Sequence, residues 1–371
     1  MLKRGKKNND KMMQYYLVVG GFCLVCVIVT LYTLFNPKQK FSEMLVIEDS
    51  QILVHNGQGH QFKHGRNELF ETKTLADAKK MFTSALSDTG NIPQCLTSKS
   101  LTGNMDEEMD IDLPESYDWR EAYPDCVQPV QSIALGDSKN CSASYAMVTL
   151  GVAEDKICMS QNQTVKLSAQ EVLDCDMNSF GCDGGYVNKV LKWGKTKGFI
   201  LDECMPYNGK KTECEVDHFE SNICRIESQF YRVNDFCIAY QPENIMREIF
   251  KNGPVVGQMT PHTDFLAYSE GSYHKSPESF KFQGQHLVKI VGWNKAMDGS
   301  TEWVVENTWG EDWGENGYAK VLGRSDVGID NYAIGMSINP YSQYDLLSMQ
   351  QMYDSTDFGG DDYAENLEGY E

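Results

Sequence analysis

Trp309-Gly310-Glu311-Asp312-Trp313-Gly314-Glu315-Asn316-Gly317-Tyr318 decides how the rest of this chain is read. Before it, Glu302 to Asn307 is a short run rich in β-branched and aromatic residues, and Gly317 to Val321 is another, so a glycine-punctuated loop joins two strands. Pro254 to Met259 and His286 to Trp293 have the same composition and predict two more strands. Further toward the N-terminus the pattern becomes helical. A helix is expected from near Ser142 to about Ile157, with Met147, Leu150 and Ile157 on one face and Ser144 in its first turn. Ser168-Ala169-Gln170-Glu171 predicts a second helix, in which the serine caps and the glutamate reaches back. A third follows Gly184-Gly185, and a fourth covers Glu243 to Lys251, stopped by Gly253-Pro254. A helical half therefore precedes a β-rich half, which is an α+β domain.

That domain spans residues 114–340, opening just before Tyr117-Asp118-Trp119-Arg120. Four further regions frame it. Residues 1–14 form a basic tail carrying Lys3, Arg4, Lys6, Lys7 and Lys11, and residues 15–35 are uncharged and apolar, about the length of helix that crosses a bilayer. A cleaved signal peptide would have a shorter apolar region ending in small residues, whereas this one ends Leu31-Tyr32-Thr33-Leu34-Phe35, so a retained single-pass anchor is expected. The positive-inside rule leaves the N-terminus cytosolic and the domain in a lumen or outside the cell. Residues 36–113 are polar and mixed, read as a prosegment or stalk, with one helical stretch in which Leu75, Ala78, Phe82 and Ala85 recur after Thr74. Residues 341–371 hold eight acidic and no basic residues and read as a solvated, disordered tail.

The formal net charge of -20 excludes nucleic acid as a partner, because phosphate attracts stripes of Lys and Arg. Of the 12 cysteines, Cys23 and Cys26 lie in the apolar segment, leaving an even set whose scattered spacing suits disulfides in an oxidising compartment. Asn162-Gln163-Thr164 is a glycosylation sequon consistent with that route. No phosphate-cradling glycine loop and no metal-ligand cluster stands out, so neither a cofactor nor a metal is expected.

Three segments together resemble the papain family: Asn140-Cys141-Ser142-Ala143-Ser144-Tyr145-Ala146-Met147, Gln285-His286-Leu287-Val288, and Glu306-Asn307-Thr308-Trp309-Gly310. In that family a cysteine near the start of the first long helix attacks the peptide carbonyl, with a histidine and an asparagine about 130 to 150 residues downstream. Tyr117 to Glu121, Leu167 to Cys175, Gly181-Cys182-Asp183-Gly184-Gly185 and the opening stretch extend the likeness over about 220 residues. Glu121 to Cys126, Cys158 and Ile245 to Pro254 resemble cathepsin B in particular.

The resemblance implies a papain-like two-lobed fold, with a helical left lobe and a β-barrel-like right lobe. It places Ser144 at the nucleophile position, with His286 and Asn307 completing the catalytic set and Trp309 shielding their hydrogen bond. It also implies substrate contacts from Gly184 and Gly185, an acidic pocket residue at Asp330, and disulfides Cys141 to Cys182 and Cys126 to Cys158. The family's oxyanion glutamine is missing: its position is Ser138, with Gln131 as a conceivable substitute. Serine does not ionise as a thiol does; it must pass its proton to His286 during attack, and the imidazolium then needs a negative partner that Asn307 does not supply. The leading expectation is a membrane-anchored pseudoprotease that binds a peptide or protein ligand in its cleft. An active peptidase using Ser144, His286 and Asn307, or a structural subunit of a membrane assembly, are the alternatives.

Overall fold

The computed structural model describes residues 43–82, 92–95, 112–134, 141–214, 231–296 and 298–339. The anchor expected at residues 15–35 and the tail at 341–371 lie outside them. Among the described residues no helix is long and apolar enough to cross a membrane.

In chain order the elements are α1 (Asp49–Gly57), β1 (Phe62–His64), α2 (Leu75–Lys79), β2 (Tyr117–Asp118), α3 (Trp119–Ala122), α4 (Ser144–Gln161), α5 (Ala169–Cys175), α6 (Val187–Thr196), β3 (Arg232–Tyr240), α7 (Pro242–Asn252), β4 (Val255–Met259), β5 (Tyr268–Tyr273), β6 (His286–Lys295), β7 (Thr301–Glu306), β8 (Tyr318–Leu322) and β9 (Tyr332–Asn339). The sheet runs β1-β5-β8-β7-β6-β4-β9-β3, with β2 pairing β6. Its pairs are antiparallel except β5 with β8. The helical half and the β-rich half anticipated from the pattern are both present, packed around a common core as one α+β fold.

Helix α4 is the pivot. Met147, Leu150 and Ile157 are inside as expected, and so is the opposite face: every residue from Ser144 to Cys158 is buried. The helix lies between the sheet and the other helices, contacting β6, β9, α6 and α5. Such a position tolerates the polar side chains of Glu154, Asp155 and Lys156 only because each finds a partner. Glu154 Oε1 accepts the Leu167 N–H at 2.7 Å, Asp155 pairs with Lys289, and Lys156 donates to the Asn252 and Gly253 carbonyls, which cap the end of α7. At α5 the predicted reciprocal cap is half formed. Ser168 Oγ accepts the Glu171 N–H at 3.0 Å, but the Glu171 carboxylate turns instead to the Ile200 N–H.

Residues 43–82 do not stand off as a stalk. Strand β1 adds antiparallel to β5, and Val46, Ile47, Phe70, Met81 and Phe82 are buried in the common core. Helix α2 begins with a full capping box between Thr74 and Asp77, then ends at Lys79. The helical spacing that joined Phe82 to Leu75 and Ala78 is therefore misleading, because Phe82 lies beyond the helix.

Candidate active site

Register places the key residues. His286 is the first residue of β6, opposite Met259 of β4; Asn307 follows β7; and Ser144 opens α4. Lys289, also on β6, pairs across the sheet with Glu306 of β7. Its Nζ lies 2.9 Å from both Asp155 of α4 and Glu306, tying the helix that bears Ser144 to the strands that bear His286 and Asn307. Burial alone would pull the Lys289 ammonium toward neutrality, but the two carboxylates reverse that and hold it protonated.

Ser144, His286 and Asn307 are each 1% exposed. His286 Nε2 and Asn307 Oδ1 are 3.0 Å apart, a bond in which the imidazole N–H donates to the amide oxygen. The Trp309 ring stacks on His286 with centroids 4.6 Å apart, and Phe82 meets it edge-on at 5.5 Å. Burial in this aromatic box lowers the His286 pKa to about 4, and the Asn307 bond recovers only part of the shift. The imidazole is thus neutral at ordinary pH. Ser144 Oγ is hydrogen-bonded to Thr308 Oγ1 at 3.0 Å. Thr308 carried no functional reading in the sequence; only its adjacency to Asn307 pointed to it.

Cys141 is joined to Cys182 and Cys126 to Cys158. Two more bonds, Cys95 to Cys237 and Cys175 to Cys214, had no assignment from the sequence. Gly184 has φ 103°, in the region that favours glycine, while a Cβ on Gly185 would lie 2.5 Å from the Tyr145 ring, so both have local reasons to be glycine beside the cleft. Asp330 sits in the loop between β8 and β9, where its Oδ2 accepts the Arg324 N–H at 2.8 Å and closes the turn. Ser138 lies outside the described residues. Gln131 accepts the Gly310 N–H through its backbone, and it lines a cavity of about 20 Å³ with Asn307, Thr308 and Lys289 that includes neither Ser144 nor His286. Thr308, the partner of the Ser144 hydroxyl, lines the same cavity.

The cleft is filled by the chain itself. Ser142 Oγ donates to the Met81 carbonyl at 3.1 Å, and Phe82 packs against Phe282 as well as His286 and Trp309. Among the described residues, the one group of His, Cys, Asp or Glu close enough to share an ion is Cys95, Cys237 and Glu248, and its two sulfurs are committed to a disulfide.

An α+β fold with a buried histidine-asparagine pair, whose neighbour Thr308 is hydrogen-bonded to Ser144 at the head of a buried helix, fits the papain-like class. Residues 113–337 match the family described as "Papain family cysteine protease", and the chain belongs to that family. It is 27% identical over 331 residues to "Cathepsin B-like protease 1" of Arabidopsis thaliana, covering 80% of this chain and 85% of that one. It is 29% identical over 229 residues to "Cathepsin B-like CP3" of Giardia intestinalis, covering 60% and 74%. Among solved structures, procathepsin B S9 from Trypanosoma congolense superposes with a TM-score of 0.66 at 26% identity, covering 80% of this chain and 99% of the other. Procathepsin L2 from the larval midgut of Tenebrio molitor, with a TM-score of 0.65 at 22% identity over 84% and 99%, shares the fold.

Proposed function

We propose that this chain is a cathepsin B-like papain-fold protein that has lost peptidase chemistry and acts by binding a peptide or protein partner. In this reading it is anchored in a membrane through residues 15–35, with the folded domain in the endomembrane lumen or outside the cell. The observation that carries it is the state of the residue at the nucleophile position. Ser144 is hydrogen-bonded to Thr308, burial lowers the His286 pKa to about 4 and makes its imidazole a weak base for the serine proton, and the third member, Asn307, is uncharged. A serine hydroxyl becomes a nucleophile only if a base takes its proton and a negative neighbour steadies the resulting imidazolium; replacing that neighbour by asparagine lowers turnover about ten-thousandfold in a serine protease. A missing oxyanion donor would cost about a further hundredfold or more.

A structural-subunit role is favoured by one observation, the occupation of the cleft by Met81 and Phe82. The test is a paired assay on fluorogenic peptides, using the wild type and the Ser144→Cys variant, each with and without residues 43–95 displaced. The reading expects no turnover from wild type and turnover from the opened Ser144→Cys protein. Wild-type turnover at a cathepsin-like rate, abolished by Ser144→Ala, would overturn it in favour of an active peptidase. Inactivity of every form would favour the structural role.

A further inference from the structure

The described residues 43–82 and 92–95 reach both edges of the sheet. At one edge β1 pairs with β5, Phe62 opposite Gly271; at the other edge Ile92 to Cys95 lie along β3. There the Cys95 N–H donates to the Ile238 carbonyl at 2.8 Å, and the Ile238 N–H donates to the Pro93 carbonyl at 2.9 Å. Between these two attachments Met81 and Phe82 fill the cleft. The domain is shaped to receive this cover. Gly271 (φ +94) and Gly284 (φ +99) have no room for a Cβ, which would lie 2.4 Å from the Gln61 carbonyl and 1.8 Å from the Phe82 carbonyl. Beside β3 the contact is covalent: Cys95 is disulfide-bonded to Cys237, 142 residues away in sequence.

We propose that residues 43–82 are a permanent cover of the cleft, which the Cys95–Cys237 bond keeps tethered in place even when the backbone is cut between Cys95 and Leu113. A cover held by hydrogen bonds and packing becomes, after such a cut, a separate ligand that leaves on dilution. The disulfide keeps it intramolecular, at an effective concentration on the order of millimolar, so the closed state persists. Proteolysis alone then exposes neither His286 nor the first turn of α4; opening the cleft also requires breaking this one bond. The inference rests on the geometry of the cleft and holds whether or not Ser144 hydrolyses peptides.

The experiment uses the full chain with a site for a sequence-specific protease inserted between residues 98 and 108. Ser144→Cys serves as a reporter of access, alkylated by iodoacetamide and read by mass spectrometry of the peptide that contains position 144. With native Cys95 and Cys237, cutting should change the labelling rate by less than twofold. With Cys95→Ser and Cys237→Ser, labelling should be as slow before the cut, which also verifies the fold, and at least tenfold faster after the cut and dilution. A tenfold rise in the cut protein with native cysteines would overturn the proposal, as would no rise in the cut double variant. An independent reading needs no cysteine variant at all. The cut native protein should elute as one species with the segment ending near Cys95 still linked to Cys237, and elution of that segment apart from the domain would overturn the proposal. Labelling reports access and not hydrolysis, so this result and that of the peptide assay are separable.

Discussion

The hydroxyl of Ser144, at the first position of α4, is held by the hydroxyl of Thr308, 3.0 Å away and one residue beyond Asn307. Both residues are buried. The bond therefore has a structural value that can be measured apart from any chemistry. Removing one partner leaves a buried hydroxyl unpaired, at a cost of about 1 to 3 kcal/mol, whereas removing both costs much less than the sum. We predict that Ser144→Ala and Thr308→Val each lower the urea midpoint, and that the double variant is destabilised by less than the two added together. A strictly additive cycle would contradict the bond.

Lys289 joins α4 to β6 and β7 through Asp155 and Glu306, with all three side chains largely out of solvent. Breaking a buried ion network from one side leaves the other charges uncompensated, typically at about 3 to 5 kcal/mol. Lys289→Met should destabilise the domain by that amount in chemical denaturation. The triple variant Lys289→Met, Asp155→Leu, Glu306→Leu should recover part of the loss, since the penalty lies in the stranded carboxylates. A loss below 1 kcal/mol in the single variant would show the network to be solvated.

The parts of this molecule that local pattern dictates were legible in the sequence. Strands β4, β6, β7 and β8 are runs of apolar residues between turn formers, α5 begins at its capping serine, α6 follows its glycine pair, and α7 ends at Gly253. Strands β3, β5 and β9 were not. Asn234 and Asp235 interrupt the first, and Ser269, Glu270 and Gly271 give the second the look of a loop; their partners across the sheet, not their composition, make them strands. Likewise nothing local to Glu154, Asp155 and Lys156 signals burial, and only the positions of Leu167, Lys289 and the end of α7 explain it. Phe82 was assigned to a helix by its spacing because nothing local says that the chain leaves α2 to enter the cleft. The pairing of Cys95 with Cys237 is equally a product of topology.

Buried Glu154 gives the domain a pH dependence with a definite sign. Burial raises its pKa from 4.5 to about 8, and Glu171 is raised to about 8 for the same reason. A carboxyl whose pKa is higher in the folded state contributes stability that is fully present below the unfolded value and lost as pH rises through the folded one. Below pH 6.5 the lowered pKa of His286 acts in the opposite sense, so the carboxyl effect is clearest between about pH 6.5 and 8. The melting temperature should fall across that window. Glu154→Gln keeps an oxygen for the Leu167 N–H and should remove part of the fall, Glu171 and, below about pH 7, Asp155 supplying the rest. A fall unchanged in Glu154→Gln would place its origin elsewhere.

The cover over the cleft carries its own acid sensitivity. His55 of α1 stacks on His60 at 4.2 Å and on His64 of β1 at 3.6 Å, and His55 Nε2 is 3.3 Å from the Phe62 carbonyl. Asp264 and Glu278 of the domain act on His55 to favour its charged form, and the His274 ring meets Phe62 edge-on. Burial nevertheless dominates, followed by the neighbouring imidazoles, and together they lower the His64 pKa to about 3. A histidine with a lowered folded pKa contributes stability present above its unfolded value near 6.5 and lost as pH falls toward the folded one. Docking of β1 on β5 should therefore weaken between pH 6.5 and 4, when protonation would place like charges face to face. Hydrogen exchange at residues 62–64 and 269–272 is the measurement. Protection there should drop at least tenfold more over that range than at β6, while His64→Phe, which keeps a stacked ring that cannot charge, should lose most of the difference. Equal losses at both places, or an unchanged profile in His64→Phe, would detach the histidine stack from the stability of the cover.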